Sequence, residues 1–380
     1  MAKSSSYRGR LAPSPTGYLH LGHGRTFWMA WQRARAAGGK LVFRNEDLDY
    51  QRCRPEFLSA MYEDLRWLGL DWDEGPDIEP QPGKSGQSAD RVPHPLRHAA
   101  RLYSKISPAA KGGNIGGRFG PYSQSQRRSF YLEAWRKLRD SGLIYPCTCS
   151  RKDLERALSA PHEALHAAEL HHFNDRGPQA TPPAIKETNA AGTQPGTVTL
   201  QSPGSPAQPG AATLPAPVDD ELPYPGTCRS KIATAKDYDS PAGVSWRFRV
   251  PDGETISFND GHYGLEQFVA GRDFADFLLW RRDDIAAYQL AVVVDDESMQ
   301  ITEIVRGADL LKSTARQLLL IRALNYSAPE YFHCPLLRDE NNVRLAKRHD
   351  ALSLRTLREQ GVKPEQLRKK FEKEFMSGQI

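Results

Sequence analysis

The sequence predicts an α/β protein built on a parallel sheet, and three observations carry that reading. Residues 7 to 75 alternate strand, helix, strand and helix patterns, an order that chains close as parallel strands with right-handed crossovers. With 380 residues, 39% hydrophobic and 26% charged, the chain can bury the cores of about two domains. No run approaches the ~18 apolar residues of a membrane helix, and the N-terminus shows no apolar signal segment. A spanning or fibrous protein is thereby excluded, and the cytoplasm is the expected compartment.

Tyr7 to Ala12 form the first strand, ended by Pro13 and Pro15. From Gly22 to Ala37 a pattern rich in Trp, Phe, Met and Ala reads as a helix with a buried face, and Gly38-Gly39 stops it. Lys40 to Arg44 is a second strand, Asn45 to Tyr50 a polar loop, and Pro55 to Leu68 a helix closed by Gly69. Periodicity then disappears over residues 80–120, and residues 174–222 become low-complexity in Pro, Ala, Gly and Thr, so both read as insertions. The second holds too little apolar surface to offset its ordering entropy. Ser125 to Ser141 is helical, and Ser245 to Val250 with Glu254 to Phe258 read as a hairpin. Asp276 to Arg281 and Tyr288 to Val294 read as further strands, Ser313 to Leu324 as a helix, and Ser353 onward as basic helix.

Arg10-Leu-Ala-Pro-Ser-Pro-Thr-Gly-Tyr-Leu-His-Leu-Gly-His-Gly-Arg25 turns from a strand into a helix N-terminus carrying His20 and His23 around Gly22. Unpaired N–H groups and the positive dipole end suit such a start to phosphate, and the glycine permits close approach. A His pair at this spacing taken alone is more often structural or incidental; its place at the turn after the first strand is what shifts the balance toward a ligand site. Five cysteines in a chain without a signal segment argue for reduced thiols or metal ligands. Cys147, Cys149 and Cys228 offer three thiolates for one tetrahedral Zn²⁺, which needs one more donor; buried structural thiols are the alternative. His162, His166, His171 and His172 compete for the fourth position. Tyr288 to Asp296 is an apolar stretch flanked by Tyr and Asp-Asp, and Ile304-Val-Arg306-Gly-Ala-Asp309 follows. This arrangement places Tyr288 and Arg306 near a pocket mouth, or else in a core strand with a surface arginine. From Arg344 to Ile380, ten Lys or Arg stand against five Asp or Glu, a net +5 equal to that of the whole chain. Such a segment can track a phosphate backbone or be a solvated helix face.

Arg10-Leu-Ala-Pro-Ser-Pro-Thr-Gly followed by His20-Leu-Gly-His23 resembles the first signature of class I glutamyl-type aminoacyl-tRNA synthetases, whose HIGH element grips ATP. Arg344-Leu-Ala-Lys-Arg348 occupies the place of that family's KMSKS loop, after Pro335-Leu-Leu-Arg-Asp339 as strand and turn. Leu345 and Lys347 fit the motif, whereas Arg344 is a cationic substitute and Ala346 lacks the hydroxyl. The resemblance implies a Rossmann-type catalytic domain with an inserted zinc-binding, acceptor-type subdomain and a short helical C-terminal tail. Its parts would be 7–146 and 231–335 for the two catalytic halves with the remainder of the insert, 147–230 for the zinc insert, and 336–380 for loop and tail.

By the same resemblance, His20, Gly22, His23 and Lys347 bind ATP, with His20, His23 and Lys347 acting on its phosphates and Mg²⁺ accompanying it. Arg10, Ser14, Glu46, Tyr288 and Arg306 would hold L-glutamate, which needs an acidic partner for its ammonium and guanidinium forks for its carboxylates. Cys-x-Cys with Tyr-Pro-Gly-x-Cys is the zinc element of the glutamyl-queuosine tRNA(Asp) branch, implying Cys147, Cys149, Tyr224 and Cys228 as ligands. Only 32 residues follow Arg348, too few for the family's helical anticodon-binding region. The implied partner is the tRNA(Asp) anticodon stem-loop carrying queuosine, met by a monomer with no membrane attachment. Two alternatives are a truncated or discriminating glutamyl-tRNA synthetase and a noncatalytic tRNA- or nucleotide-binding paralogue, the latter favoured by the altered second motif.

Overall fold

β1 (Arg8–Leu11) and β2 (Lys40–Phe43) pair in parallel, Arg8 opposite Lys40 and Leu11 opposite Phe43, across the crossover helix α1 (Leu21–Ala36). The turn from α1 into β2 requires glycine at 39, because a Cβ there would lie 2.5 Å from the Tyr7 carbonyl oxygen. After β2 comes α2 (Pro55–Trp67), opened by a proline at its first turn. The expected strand, helix, strand and helix of residues 7–75 are thus all present. The computed structural model describes residues 6–78, 118–150, 152–153, 224–337 and 353–377, all within one unit made of Met1–Leu154 and Pro217–Ile380. The low-complexity segment at 174–222 and nearly all of the insertion at 80–120 lie outside the described residues.

α3 (Arg128–Asp140) leads into β3 (Ile144–Cys147), which pairs antiparallel with β4 (Ser245–Phe248), itself antiparallel to β7 (Phe277–Trp280). β5 (Thr255–Asp260) and β6 (Gly264–Val269) form the one described hairpin, closed where Asp260 Oδ1 accepts the backbone N–H groups of His262 and Tyr263, each at 3.0 Å. β4 and β5 therefore do not make the hairpin their spacing suggests: they belong to different sheets, and β5 turns its alternating pattern toward β6. β8 (Glu303–Gly307) and β9 (Glu330–Cys334) run in parallel, and β9 meets β5 at Asp260 opposite Tyr331. Beside them, Thr302 N–H donates to the Arg8 carbonyl at 2.9 Å and Arg10 Nη1 to the Val305 carbonyl at 3.1 Å, which sets β8 next to β1.

The Tyr288 run is not a strand. It is α4 (Tyr288–Ser298), in which Gln289 through Asp296 are all buried. A helix enclosed on every side loses the 3.6-residue apolar stripe, so its Leu-Ala-Val-Val-Val sequence mimics a buried strand. α5 (Leu311–Leu324) packs against it, ending at Asn325 in the left-handed region with φ 56°.

The C-terminal helices α6 (Leu354–Glu359) and α7 (Pro364–Met376) lie against the first half of the molecule rather than extending from it. Leu354 and Phe371 enter the core formed by Trp28, Met29, Phe43 and Leu65, and Arg358 pairs with Glu63 at 3.2 Å. Among the described residues, no helix is long and apolar enough to cross a membrane.

A second core gathers Trp135 of α3, Trp246 of β4, Trp280 of β7 and Leu290 of α4. Trp135 is fully buried and meets Trp246 edge to face at 4.9 Å between ring centroids. Trp135→Ala is expected to destabilise the fold by about 3–5 kcal/mol, read as a lower urea midpoint; a loss below about 1 kcal/mol would contradict this packing.

Candidate active site and cysteine cluster

Charged side chains converge at the carboxyl ends of β1, β2 and β8, the edge at which open α/β sheets receive ligands. Arg10 lies near the end of β1, Arg44 and Glu46 just past β2, Arg306 near the end of β8, and Asp296 arrives from α4. Arg10 Nε and Arg44 Nη1 both reach the Asp296 carboxylate, at 3.4 and 2.6 Å, and Arg44 Nη2 donates to Glu46 at 2.9 Å. Next to Asp296 on the helix, the buried Asp295 accepts from Arg127 Nε at 2.5 Å, Gln124 at 2.8 Å and the Tyr131 hydroxyl at 3.0 Å. Three guanidinium groups, of Arg10, Arg44 and Arg127, thus face three carboxylates, of Glu46, Asp295 and Asp296. Burial pushes the Glu46 carboxyl above its ordinary range, against the pull of Arg44.

Arg306 stands outside that balance. It is buried, and its hydrogen-bond partners among the described residues are neutral: His333 Nε2 at 3.1 Å, Gln317 Oε1 at 2.8 Å and Thr314 Oγ1 at 2.7 Å. Among the described residues no carboxylate lies within ion-pair distance of it. Gln317 in turn donates to Gln289, which donates to Ser313, so a polar chain runs from Arg306 back to the start of α4. Tyr288 opens that helix, 40% exposed, in the field of Arg306, Glu46, Arg10 and Asp296. Arg10 Nε, Asp296 Oδ2 and the Tyr331 hydroxyl are buried with no hydrogen-bond partner among the described residues. Ligand or solvent atoms are the remaining partners for such groups.

His20 is the N-cap of α1: its Nδ1 accepts the backbone N–H of Gly22 at 3.1 Å and of His23 at 3.4 Å. An accepting Nδ1 leaves Nε2 to carry the ring proton, so His20 presents a donor at the helix start. The two imidazoles stack with centroids 3.7 Å apart. A Cβ on residue 22 would come within 3.0 Å of the His20 ring, which accounts for Gly22. Ser14 is exposed on the loop after β1. Lys347 and the rest of Arg344-Leu-Ala-Lys-Arg348 lie outside the described residues. The chain on either side comes back to this helix start: Leu337 would touch a Cβ on Gly22 at 3.9 Å, and Ser353 forms a β-bridge with His20.

Cys147 ends β3, Cys149 follows it, and Cys228 opens the 3-10 turn Arg229–Asp237. Their three sulfurs lie within 4.8 Å of one another, with Cys149 Sγ to Cys228 Sγ at 3.6 Å. The Tyr224 hydroxyl completes the group, 3.5 Å from Cys147 Sγ and 3.7 Å from Cys149 Sγ. Tetrahedral zinc with bonds of about 2.3 Å to sulfur sets its ligands roughly 3.5–3.8 Å apart, and the Cys147–Tyr224, Cys149–Tyr224 and Cys149–Cys228 separations match that spacing. Burial opposes ionisation of Cys228, but the Thr148 backbone, the Tyr224 hydroxyl and the Cys149 thiol outweigh it and bring the thiol down to about 6. Burial instead raises Cys149 to about 11. The histidines at 162, 166, 171 and 172 lie outside the described residues.

Arg44, Asp296, Thr314, Gln317 and His333 complete this site but were not singled out by sequence reasoning. The one signal was a pair of adjacent acids, Asp295-Asp296, after an apolar run, where a buried arginine partner is required.

The family model for the catalytic domain of class I tRNA synthetases (E and Q) matches residues 6–193 and 222–379. A glutamyl-Q tRNA(Asp) synthetase of Nitratidesulfovibrio vulgaris is 38% identical over 357 residues, covering 93% of this chain and 82% of that protein. One from Symbiobacterium thermophilum is 36% identical over 362 residues, 94% of this chain and 83% of that protein. A glutamate–tRNA ligase 2 of Acidithiobacillus ferrooxidans is 34% identical, but this chain covers only 55% of it. Among solved structures, the glutamate tRNA ligase of Elizabethkingia meningosepticum superposes with a TM-score of 0.55 at 22% identity, over 90% of this chain. The chain spans about half the length of that structure, 52%, and the likeness is one of fold. With the α/β sheet, the helix start at His20 and the whole described chain accounted for by one family model, the chain belongs to the class I tRNA synthetases of the glutamate and glutamine type, a family of ligases.

Proposed function

We propose that this chain activates L-glutamate with ATP as glutamyl-adenylate and transfers the glutamyl group to queuosine at the wobble position of tRNA(Asp). The observation that carries the glutamate reading is Arg306, a buried guanidinium that meets no carboxylate directly among the described residues, in the same charged cluster as Arg10 and the acidic Glu46. An amino acid with two carboxylates and one ammonium complements that set. In this reading Arg10 and Arg306 take the carboxylates, Glu46 the ammonium, and Ser14 and Tyr288 line the opening. The α-carboxylate attacks the α-phosphorus of ATP, pyrophosphate leaves, and a queuosine hydroxyl then displaces AMP from the adenylate. No nucleophilic side chain is required, since the work is positioning and stabilisation of phosphate charge. His20 and His23 at the α1 start and Lys347 are assigned to the phosphates. The return of Leu337 and Ser353 to that helix start supports the assignment of Lys347. Mg²⁺, held by phosphate and water, shields the triphosphate.

The acceptor rests on two supports: relatives named glutamyl-Q tRNA(Asp) synthetases and the Tyr224-Pro-Gly-Thr-Cys228 element. The anticodon stem-loop would track exposed lysines of the tail such as Lys369 and Lys373, the protein acting as a monomer in the cytoplasm. Zinc is assigned to Cys147, Cys149, Tyr224 and Cys228, where it would supply a structural cross-link between β3 and the turn that follows Tyr224.

Two measurements test these assignments. Labelled glutamate should enter tRNA(Asp) carrying queuosine and not the same tRNA with guanosine at the wobble position. Transfer to the 3′ end of tRNA(Glu) would instead make this a minimal glutamyl-tRNA synthetase, and absence of both activation and transfer a noncatalytic paralogue. Metal analysis should find about one zinc per chain, lost in Cys147→Ser together with folding stability; wild type prepared without chelators and holding none would reject the zinc site.

A further inference from the structure

Arg306 does not choose its own direction. A guanidinium carries five N–H donors, and three of them are committed, to His333, Gln317 and Thr314. The two left over sit one on each terminal nitrogen, where a carboxylate can be gripped by both. The three bonds orient that fork together, and the acceptor for Nε–H is His333 Nε2 at 3.1 Å, an atom that also lies 3.1 Å from Thr314 Oγ1. An imidazole accepts at Nε2 only while Nδ1 holds the proton, and here Nδ1 lies 2.6 Å from Asp260 Oδ2. Asp260 is itself fixed by the backbone N–H groups of His262 and Tyr263 and by that of His333 at 3.1 Å. His333 is fully buried as the penultimate residue of β9, and burial brings it down to about 4, although the hydrogen bond to Asp260 pulls the other way. A protonated ring would have no lone pair for Arg306 and would place two cations side by side.

We propose that His333 and Asp260 are positioning residues for substrate recognition: Asp260 fixes the His333 tautomer, and His333 turns the two uncommitted N–H groups of Arg306 toward a substrate carboxylate. The assignment rests on the glutamate reading given above and adds residues to which that reading gives no part. The glutamate reading gives neither residue a contact with ATP or the amino acid, and both act through Arg306, so their loss should act on amino-acid affinity and leave ATP binding alone. A packing role alone would not separate the two substrates.

The test is glutamate-dependent ATP–pyrophosphate exchange with the full chain, measured for wild type, His333→Leu, His333→Gln and Asp260→Asn. His333→Leu removes the acceptor and should raise the glutamate KM about tenfold or more, with the ATP KM within about threefold of wild type. His333→Gln returns an oxygen near the Nε2 position and should stay within about threefold for both substrates. Asp260→Asn keeps an acceptor for the turn but lets the ring invert its tautomer, so it should raise the glutamate KM by about fivefold. If His333→Leu does not fold, the contrast between the Asn variant of Asp260 and the Gln variant of His333 decides. An unmoved glutamate KM in both His333→Leu and Asp260→Asn, or equal movement of the glutamate and ATP values, overturns the assignment while the glutamate reading stands. Wild type that shows no glutamate-dependent exchange overturns the glutamate reading and this assignment with it.

Discussion

The site is organised around one buried contact, the 2.6 Å ion pair between Arg44 Nη1 and the Asp296 carboxylate. Arg44 is fully enclosed and Asp296 nearly so, so neither charge has water to fall back on. A buried pair of this kind adds little net stability over an apolar pair, yet removing one partner costs about 3–5 kcal/mol because the other is left uncompensated. What it contributes is registry. It ties the end of β2 to a helix some 250 residues later in the chain, and on the same Asp296 oxygen it brings in Arg10 from β1. With Arg127 and Asp295 behind it, the network neutralises itself inside the protein. Arg306 is then a guanidinium near the strand ends that meets no carboxylate directly among the described residues, its nearest acidic counterpart Asp260 standing one imidazole away, and this suits the anionic substrate proposed above.

The same requirement explains why α4 is helical despite its three consecutive valines. Asp295 and Asp296 reach into different parts of the arginine cluster, Asp295 meeting Arg127 at 2.5 Å with Arg44 Nε at 3.9 Å, and Asp296 meeting Arg10 and Arg44. Adjacent residues on a helix diverge by about 100° and can both stay inside a protein, whereas in a strand they point to opposite faces. Gln289 uses the same helix to reach Gln317 and, through it, Arg306. Packing and charge together override the strand preference of the valines.

Legibility in the sequence followed the physics of each element. The β1–α1–β2–α2 unit was readable because each helix there has one buried and one wet face and each is stopped by glycine. α4 was not, because enclosure erased its period, and β5 was misassigned because strand pairing is a long-range choice that local alternation does not encode. In the site, resemblance to a family singled out Arg10, Glu46, Tyr288 and Arg306, and the structure brings them to one edge of the sheet. Arg44, Asp260 and His333 stayed hidden. Each works through a partner 73 to 252 residues away or through a residue that is itself a supporter, and no spacing rule reaches that far. The three cysteines were legible as a set, since thiols in a chain of this kind have few other uses, and Tyr224, which the family resemblance adds to them, has its hydroxyl within 3.7 Å of two of the sulfurs.

The proposed site, with its charges at the ends of β1, β2 and β8, should select an amino acid with a side-chain carboxylate of one length. ATP–pyrophosphate exchange by the wild-type chain, with glutamate, glutamine and aspartate compared side by side, reads that selection. The kcat/KM with glutamate should exceed that with the other two by at least roughly tenfold, glutamine failing because Arg306 and Arg10 then face a neutral amide. Equal exchange with glutamine, or exchange with none of the three, would contradict it.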